Sequence, residues 1–359
     1  MCMKKILFLL MTLFCANAAI AQNEVSTVIL QHGDEVTMYK GLSAFSEAME
    51  AATDNDVITL SKGLFSAAPI NKSVRIYGAG YETDSTNSME VSKLSGDVII
   101  GVENDTLSAL HMEGIYINGS IYAATNKDGD TLEPMRDFTI NKCYVRGQIK
   151  FYSNITSVTV TNSIITESVN GNAINIANNL LVNNCYIGGN VWGFKPESDV
   201  MIDHCIIAGH YSTKRGIDDY NSQFYFSNCI FVSNAGFNND VYPLVYNGCG
   251  STFKKCIYQP GKSYRVSITG NGTVEDCYEV YLADMFADLE EGNTNYGSYT
   301  PNRSFEIKEP ETWIGTDGTE IGIRGGAGWS KLPSTPVVKN LQLEVNGNTL
   351  DVTYDAEVR

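Results

Sequence analysis

The sequence predicts an all-β solenoid of short stacked strands. Three observations carry that reading. The stretch LLVNNCYIGGN at 180–190 has near copies along the chain: INKCYVRG, VTNSIITE, MIDHCIIAG, FSNCIFVS, FKKCIYQP and VEDCYEVY. Each copy alternates apolar and polar residues with the period of two that belongs to a strand. And the cysteines keep one register inside that alternation, with Ser163 in their place once.

Aligned on that register, the slot holds Cys143, Ser163, Cys185, Cys205, Cys229, Cys256 and Cys277, at steps of 20, 22, 20, 24, 27 and 21 residues. A variable step near 22 excludes a coiled coil and suits strands that stack with insertions of unequal length. An apolar alternating strand precedes each slot: Phe138/Ile140, Val158/Val160, Leu180/Val182, Val200/Ile202 and Phe224/Phe226. A second apolar residue lies two positions after the slot, at Val145, Ile165, Ile187, Ile207 and Phe231, so the slot and this neighbour face inward together. The residue before the slot is Lys142, Asn162, Asn184, His204, Asn228, Lys255 or Asp276. Asn, Asp and His are the side chains that best tolerate positive φ, so this is read as a corner between two strands, and stacked Asn side chains would bond along it.

The corner explains the cysteines. Of nine, Cys2 and Cys15 lie in the N-terminal segment, six occupy the slot, and Cys249 is out of phase. Thiols in one inward column pack as small hydrophobes, and their parallel Cβ vectors oppose disulfide geometry. A column of reduced, buried thiols is expected. A zinc site is the alternative, but the sequence has no CxxC and its histidines are scattered.

MCMKKILFLLMTLFCANAAIAQ has a basic start at Lys4 and Lys5, a short apolar core and an Ala19-Ile20-Ala21 stop. This reads as a secretory signal peptide cut before Gln22, rather than a membrane anchor, for which the apolar run is too short. No later segment is apolar enough to span a bilayer, so the expected location is secreted, periplasmic or cell-surface. The formal net charge is −16, with 41 acidic against 25 basic residues. Nucleic acid and anionic lipid are disfavoured as partners, because binding to either begins with a basic patch.

At its N-terminal side, GLSAFSEAMEAATDNDVITLSKGLFSAAPINKSVRIYGAGYE (41–82) places an amphipathic helix (Leu42, Phe45, Ala48, Met49) ahead of the first strands, and DGTEIGIRGG (317–326) reads as a closing segment. With these and the repeat, the chain resembles the right-handed parallel β-helix proteins of the pectate lyase-like group over about 41–326. The resemblance implies a right-handed single-stranded parallel β-helix of about ten coils filling 57–280, with an N-terminal capping helix. The organisation expected is a signal peptide at 1–21, the capped β-helix at 22–280, an irregular closing segment at 281–336 and a C-terminal β-hairpin at 337–359. The hairpin rests on the strict alternation of LQLEVNGNTLDVTYD around Asn346-Gly347. The scaffold hosts lyases, hydrolases, epimerases and adhesins, so it does not fix an activity.

In the lyases of that group the groove is built from one strand of each coil and the loop feeding it. Setting Ile149, Ile174, Val191, Ile217 and Val266 inward puts Lys150, Asn175, Trp192, Asp218 and Ser267 outward on one strip, with Tyr152, Lys195, Arg215, Asp219, Tyr220 and Arg265 nearby. Aromatic faces beside charged groups suit sugar rings. The densest cluster is AGHYSTKRGIDDYN (208–221), with His210, Arg215 and Asp218 as the catalytic candidates. A hydrolase needs two convergent carboxylates, the second coming from Asp199 or Asp203. A lyase needs a cation such as Ca²⁺ and a base, roles that Asp218 and Arg215 would fill. The hydrolase motifs of the group are not met: Asp218-Asp219 is present, but GHY at 209–211 precedes it and lacks the second glycine. NKDGDTLE (126–133) is either a Ca²⁺ loop or a carboxylate-rich turn.

The residue after the slot faces outward and is apolar or aromatic in seven successive copies: Tyr144, Ile164, Tyr186, Ile206, Ile230, Ile257 and Tyr278. Such a stripe needs a cover. The C-terminal hairpin is the first expectation, and a partner chain or glycan on Tyr144, Tyr186 and Ile206 the second. The functional expectation is a chain that binds polysaccharide or a surface glycan and degrades it by lyase or hydrolase chemistry. The alternatives are a non-catalytic adhesin and a structural spacer.

Overall fold

The computed structural model describes residues 26–83, 90–102, 105–123, 126–128, 133, 135–151, 153–171, 176–195, 197–209, 217–218, 223–233, 245–246, 251–258, 273–289 and 298–334. For Ile217–Asp218, Val245–Tyr246 and the two strands after 336 it describes the backbone alone. The signal peptide expected at 1–21 and Cys249 lie outside these residues.

The architecture is all-β, with mostly parallel strands in long sheets, as a parallel β-helix-like winding requires. Each repeat from Cys143 to Cys229 contributes a strand before the corner, a short strand after the slot, and a third strand further on; the last two repeats contribute the first two of these among the described residues. The strands before the corner stack in register from Arg75–Gly80 to Thr273–Glu275. Their inward ladder runs Ile140, Val160, Val182, Ile202, Phe226, Phe253, Val274. The strands after the slot stack beside them, from Tyr144–Val145 to Tyr278–Glu279. Both rows belong to one 22-stranded sheet, joined through His111–Asn118, which serves both. The third strands form a separate seven-stranded sheet from Val98–Ile100 to Val245–Tyr246. The core between them is continuous: Ile140, Val160, Val182, Ile202 and Phe226 are completely buried, and only at the last rung does Val274 reach 47% exposure.

The corner behaves as the sequence predicts. Lys142, Asn162, Asn184, His204, Asn228, Lys255 and Asp276 all have φ between 47° and 55°. One coil earlier the same place is taken by Gly114, at 71°. A second left-handed column, Asp137, Ser157 and Asn179, was not anticipated. It interrupts the ladder of the long strands for one residue on each, between Arg136↔Thr156 and Phe138↔Val158 and again between Thr156↔Asn178 and Val158↔Leu180, without a change of register.

The slot thiols are free, and Cys143, Cys185, Cys205, Cys229 and Cys256 are buried. The structure adds the reason for a small donor there. Each thiol donates to the carbonyl two residues back, from Cys205 to Asp203 at 3.2 Å and from Cys229 to Ser227 at 3.1 Å. Ser163 makes the equivalent bond to Thr161 at 2.7 Å, so Cys and Ser fill one role: each adds a second donor to a carbonyl that already accepts a corner amide from the preceding repeat. Burial pushes the Cys143 thiol up to about 12.

At the N-terminal end the helix Ala44–Ala51 buries Ala44, Phe45, Ala48 and Met49 against the first strands. Leu42 does not join that face. It precedes the helix and is 54% exposed. An antiparallel pair, Thr27–His32 with Glu35–Lys40, pairs with Val57–Leu60 and so covers the leading edge of the sheet.

The outward stripe is covered, but not by the expected segment. Ile164, Tyr186, Ile206, Ile230 and Ile257 are buried in a second cluster with Leu282, Met285, Phe286, Phe305, Ile307, Trp313, Ile321 and Ile323. These come from the irregular segment 281–334, which lies along the stripe as a strap. That corrects the choice of the hairpin, and it means that Tyr144, Tyr186 and Ile206 are covered within the chain. The hairpin strands Val337–Asn346 and Thr349–Glu357 form, and pair with each other.

Candidate functional site

The sequence offers several polar clusters, and their geometry divides them into two kinds. The first kind ties the strap to the corner column. Asn228 Nδ2 donates to Thr316 Oγ1 at 3.0 Å, while its Oδ1 accepts from the Thr316 amide at 2.8 Å. Asn184 Nδ2 donates to the carbonyls of Ile323 and Gly325 at 2.7 and 2.8 Å. Asn162 Oδ1 accepts from the Ser330 amide at 3.0 Å. His204, 1% exposed, lies between Asp203 at 2.9 Å and Thr319 Oγ1 at 3.2 Å, with Asp317 at 3.6 Å. Burial opposes charge on His204, but the bond to Asp203 and the charges of Asp203 and Asp317 outweigh it and raise its pKa.

Glu113 anchors the far end of the strap. It accepts from the Ser334 amide at 2.6 Å, meets His111 at 3.1 Å and Lys142 at 3.7 Å. Burial would raise its pKa, yet these donors hold it down at about 2. Glu82 also holds this segment, bonded to Lys331 and, at 2.9 Å, to the Tyr299 hydroxyl. Asp203, a candidate second carboxylate, is therefore spent: it lies on the larger sheet and holds His204, Ser227 and Asn228. Asp199 is exposed just before that same strand, Val200–Asp203, its amide bonded to the Ala177 carbonyl.

The second kind is an outward row on the seven-stranded sheet. Register places Tyr122, Lys150, Asn170, Trp192, Asp218 and Tyr246 on successive strands at one position. Strands stack about 4.8 Å apart, so the six positions span about 24 Å. Lys150 Nζ sits 4.6 Å from the centre of the Tyr122 ring and 3.5 Å from its hydroxyl. Asn170 is 1% exposed. Glu167 Oε2 accepts from Gln148 Nε2 at 3.0 Å, and Gln148 Oε1 accepts from Asn170 Nδ2 at 2.6 Å. The carboxylate accepts only, so it fixes both amides in turn. Asn170 Oδ1 is then a buried acceptor, and it has no partner. One strand on, the Asn190 Oδ1 is buried and without a partner as well. A buried acceptor of this kind calls for a buried water as its donor.

Of the residues expected on this strip, Lys150 and Trp192 are placed on it, and Asp218 takes the next register position. The position between Lys150 and Trp192 belongs to Asn170, with Val169 inward. Asn175, expected there, lies outside the described residues, as do Tyr152, His210, Arg215, Asp219, Tyr220 and Arg265. The sequence reading took the longer alternation NAINIAN for the strand and passed over Val169–Gly171. The overlooked signal was Gly171, where a Cβ would lie 2.7 Å from the Phe194 ring. Tyr122, one strand before Lys150, was missed because its strand precedes the first cysteine slot, Cys143, where the repeat alignment begins. In 126–133, Asn126 Oδ1 accepts from the Asp128 amide at 2.9 Å, an Asx turn.

Comparison with protein families, with curated proteins and with solved structures found no match to this chain.

Proposed function

We propose that the chain winds as a right-handed parallel β-helix and binds polysaccharide, outside the cytoplasm, along the strip from Tyr122 to Tyr246. One observation carries the reading. A cation, a buried and unpartnered amide oxygen and an indole stand at successive register positions, Lys150, Asn170 and Trp192. A pyranose presents an apolar C–H face to the indole. A carboxylate or sulfate substituent would meet Lys150. The spacing of the row suits a chain of sugars better than one small ligand, because the row continues at constant pitch.

Cleavage is the further step of this proposal. It requires Arg215, Asp218 and His210 to converge beside Trp192, with Arg215 as base and Asp218 on a cation in a lyase, or Asp218 paired with another carboxylate in a hydrolase. Lys150, Trp192, Asp219, Tyr220 and Arg265 would hold the substrate.

The test is the mature protein against a panel of uronic, sulfated and neutral polysaccharides. Binding should appear by calorimetry or affinity electrophoresis, and Trp192→Ala and Asn170→Ala should each weaken it about tenfold, the equivalent of about 1.4 kcal/mol. New ultraviolet-absorbing ends mark a lyase and new reducing ends alone a hydrolase. Binding without product leaves an adhesive protein. Absence of binding to every glycan ends the proposal.

A further inference from the structure

We infer that the C-terminal hairpin packs, within its own chain, on the N-terminal end of the larger sheet, over the apolar edge formed by Val36 and Met38 with Ile29 and Val57. Strand Glu35–Lys40 pairs with Thr27–His32 on one side and with no other strand among the described residues. Register sets Met38 beside Ile29, and Val36 and Val57 on either side of Gln31. Val28 and Leu30 point into the core, so these four share the outer face. Val36 is 64% exposed and Met38 55%. Exposed apolar residues on a strand with an open edge invite pairing, and a stable protein covers them.

The hairpin has the complementary deficiency. Its register sets Val345 across from Leu350 and Leu343 across from Val352, while Gln342, Glu344 and Asn346 pair with Thr353, Asp351 and Thr349. Residues directly opposite share a face. One face of the hairpin is therefore apolar and the other polar. Among the described residues its strands pair only with each other, and an isolated two-stranded hairpin is marginal in water.

The path of the strap says where that apolar face goes. Thr316 is bonded to Asn228, Ile323 to Asn184, Ser330 to Asn162 and Ser334 to Glu113, each earlier in the stack than the last. Two residues then separate Ser334 from strand Val337–Asn346. From the strand of Glu113 the sheet continues through Arg75–Gly80, Val57–Leu60 and Thr27–His32 to Glu35–Lys40. Those four steps amount to about 19 Å, and a ten-residue arm reaches about 34 Å. Straight continuation of the strap thus lays the hairpin over Val57, Ile29, Val36 and Met38. A second apolar row of this sheet, half-buried Leu181 with exposed Met201 and Tyr225, would require the chain to turn back on itself.

Photo-cross-linking in the full chain tests this. With p-benzoylphenylalanine in place of Met38, illumination should join that position to 337–357 in a product of monomer size. The same probe in place of Met201 should not reach 337–357. A position 38 that never captures the hairpin, a capture from position 201, or a product of dimer size would each overturn the inference. Hydrogen peroxide footprinting gives a second reading. Met38 should oxidise several-fold faster in Leu343→Asp/Val352→Asp than in wild type, and at the wild-type rate in Glu344→Gln/Asp351→Asn. Equal rates in all three overturn it too.

Discussion

Asn184→Ala separates the two tasks of the corner residue. Asn184 is 1% exposed, has φ of 48°, and donates both amide hydrogens to the strap, at 2.7 and 2.8 Å. Alanine removes both bonds and strands the Ile323 and Gly325 carbonyls against the corner. A buried polar group left unpaired costs about 1–3 kcal/mol, so the two together cost about 2–6 kcal/mol. The strap lies at the surface of the stack and can admit water, which favours the lower half of that range. Alanine must also hold a left-handed backbone that asparagine tolerates better, at about 1 kcal/mol more. Asn184→Gly loses the same two bonds without the backbone strain and should be less destabilised than alanine by about 1 kcal/mol. Urea unfolding measures the totals. Hydrogen exchange of 321–326 locates them, because the loss should open the strap before the coils. A variant within about 0.5 kcal/mol of wild type, or unchanged protection at 321–326, would refute the claim that Asn184 anchors the strap.

Cys205→Ser should cost less than about 1 kcal/mol in urea melts, because a hydroxyl can repeat the bond to the Asp203 carbonyl as Ser163 does to Thr161. Cys205→Val loses the donor and adds bulk to a filled column, for about 1–3 kcal/mol. Thiol reagents should label Cys143, Cys185, Cys205, Cys229 and Cys256 only on unfolding. Acid should loosen the far end of the strap: Glu113 is held at about 2 against an ordinary 4.5, so its contribution is full above 4.5 and lost as pH falls toward 2. That contribution is about 3 kcal/mol by linkage, and Glu113→Gln should abolish this part of the acid titration of stability. His204 acts in the opposite sense. Its raised pKa gives stability that is full below 6.5 and lost as pH rises through the folded value, and His204→Gln should flatten that loss in melts above pH 6.5. Gly325→Ala should lower the melting temperature, since its Cβ would sit 2.5 Å from His204 Cδ2.

What the sequence disclosed follows from what repeats. The inward ladder, the slot and the corner recur at one phase, so a single alignment exposes all three, and a left-handed backbone at Asn162 can be read from its place before Ser163. What does not recur stayed hidden. The leading pair Thr27–His32 and Glu35–Lys40 occurs once, although the alternation of Val28 and Leu30 before Gly33 would have marked it. The strap was read as irregular because it is: its apolar residues have no period, and Phe305, Trp313 and Ile321 find the stripe through tertiary packing rather than local pattern. The strip was legible at Lys150 and Trp192 and misplaced at Asn170. A strand three residues long gives too little alternation to compete with the longer run beside it.

The identity of each corner residue follows from the same division. Five successive corners lie under the strap, and each carries a side chain that reaches it: Lys142 to Ser334, Asn162 to Ser330, Asn184 to Ile323 and Gly325, His204 to Thr319, Asn228 to Thr316. The next two corners, Lys255 and Asp276, lie beyond this run of strap contacts, and they face each other across 3.8 Å with Asp276 largely exposed. All seven share the left-handed backbone. The backbone requirement alone would admit Asn, Asp or Gly at every one of them, so the amides and the imidazole at 162–228 are chosen for the strap. Two swaps distinguish this from a demand of the coil itself. Asn228→Lys keeps a residue type the coil already accepts at 142 and 255, yet should release the Thr316 end and raise exchange at 313–322. Lys255→Asn improves the fit to the backbone and should leave the strap unchanged. If both variants alter the strap equally, or neither does, the corner column serves the winding alone.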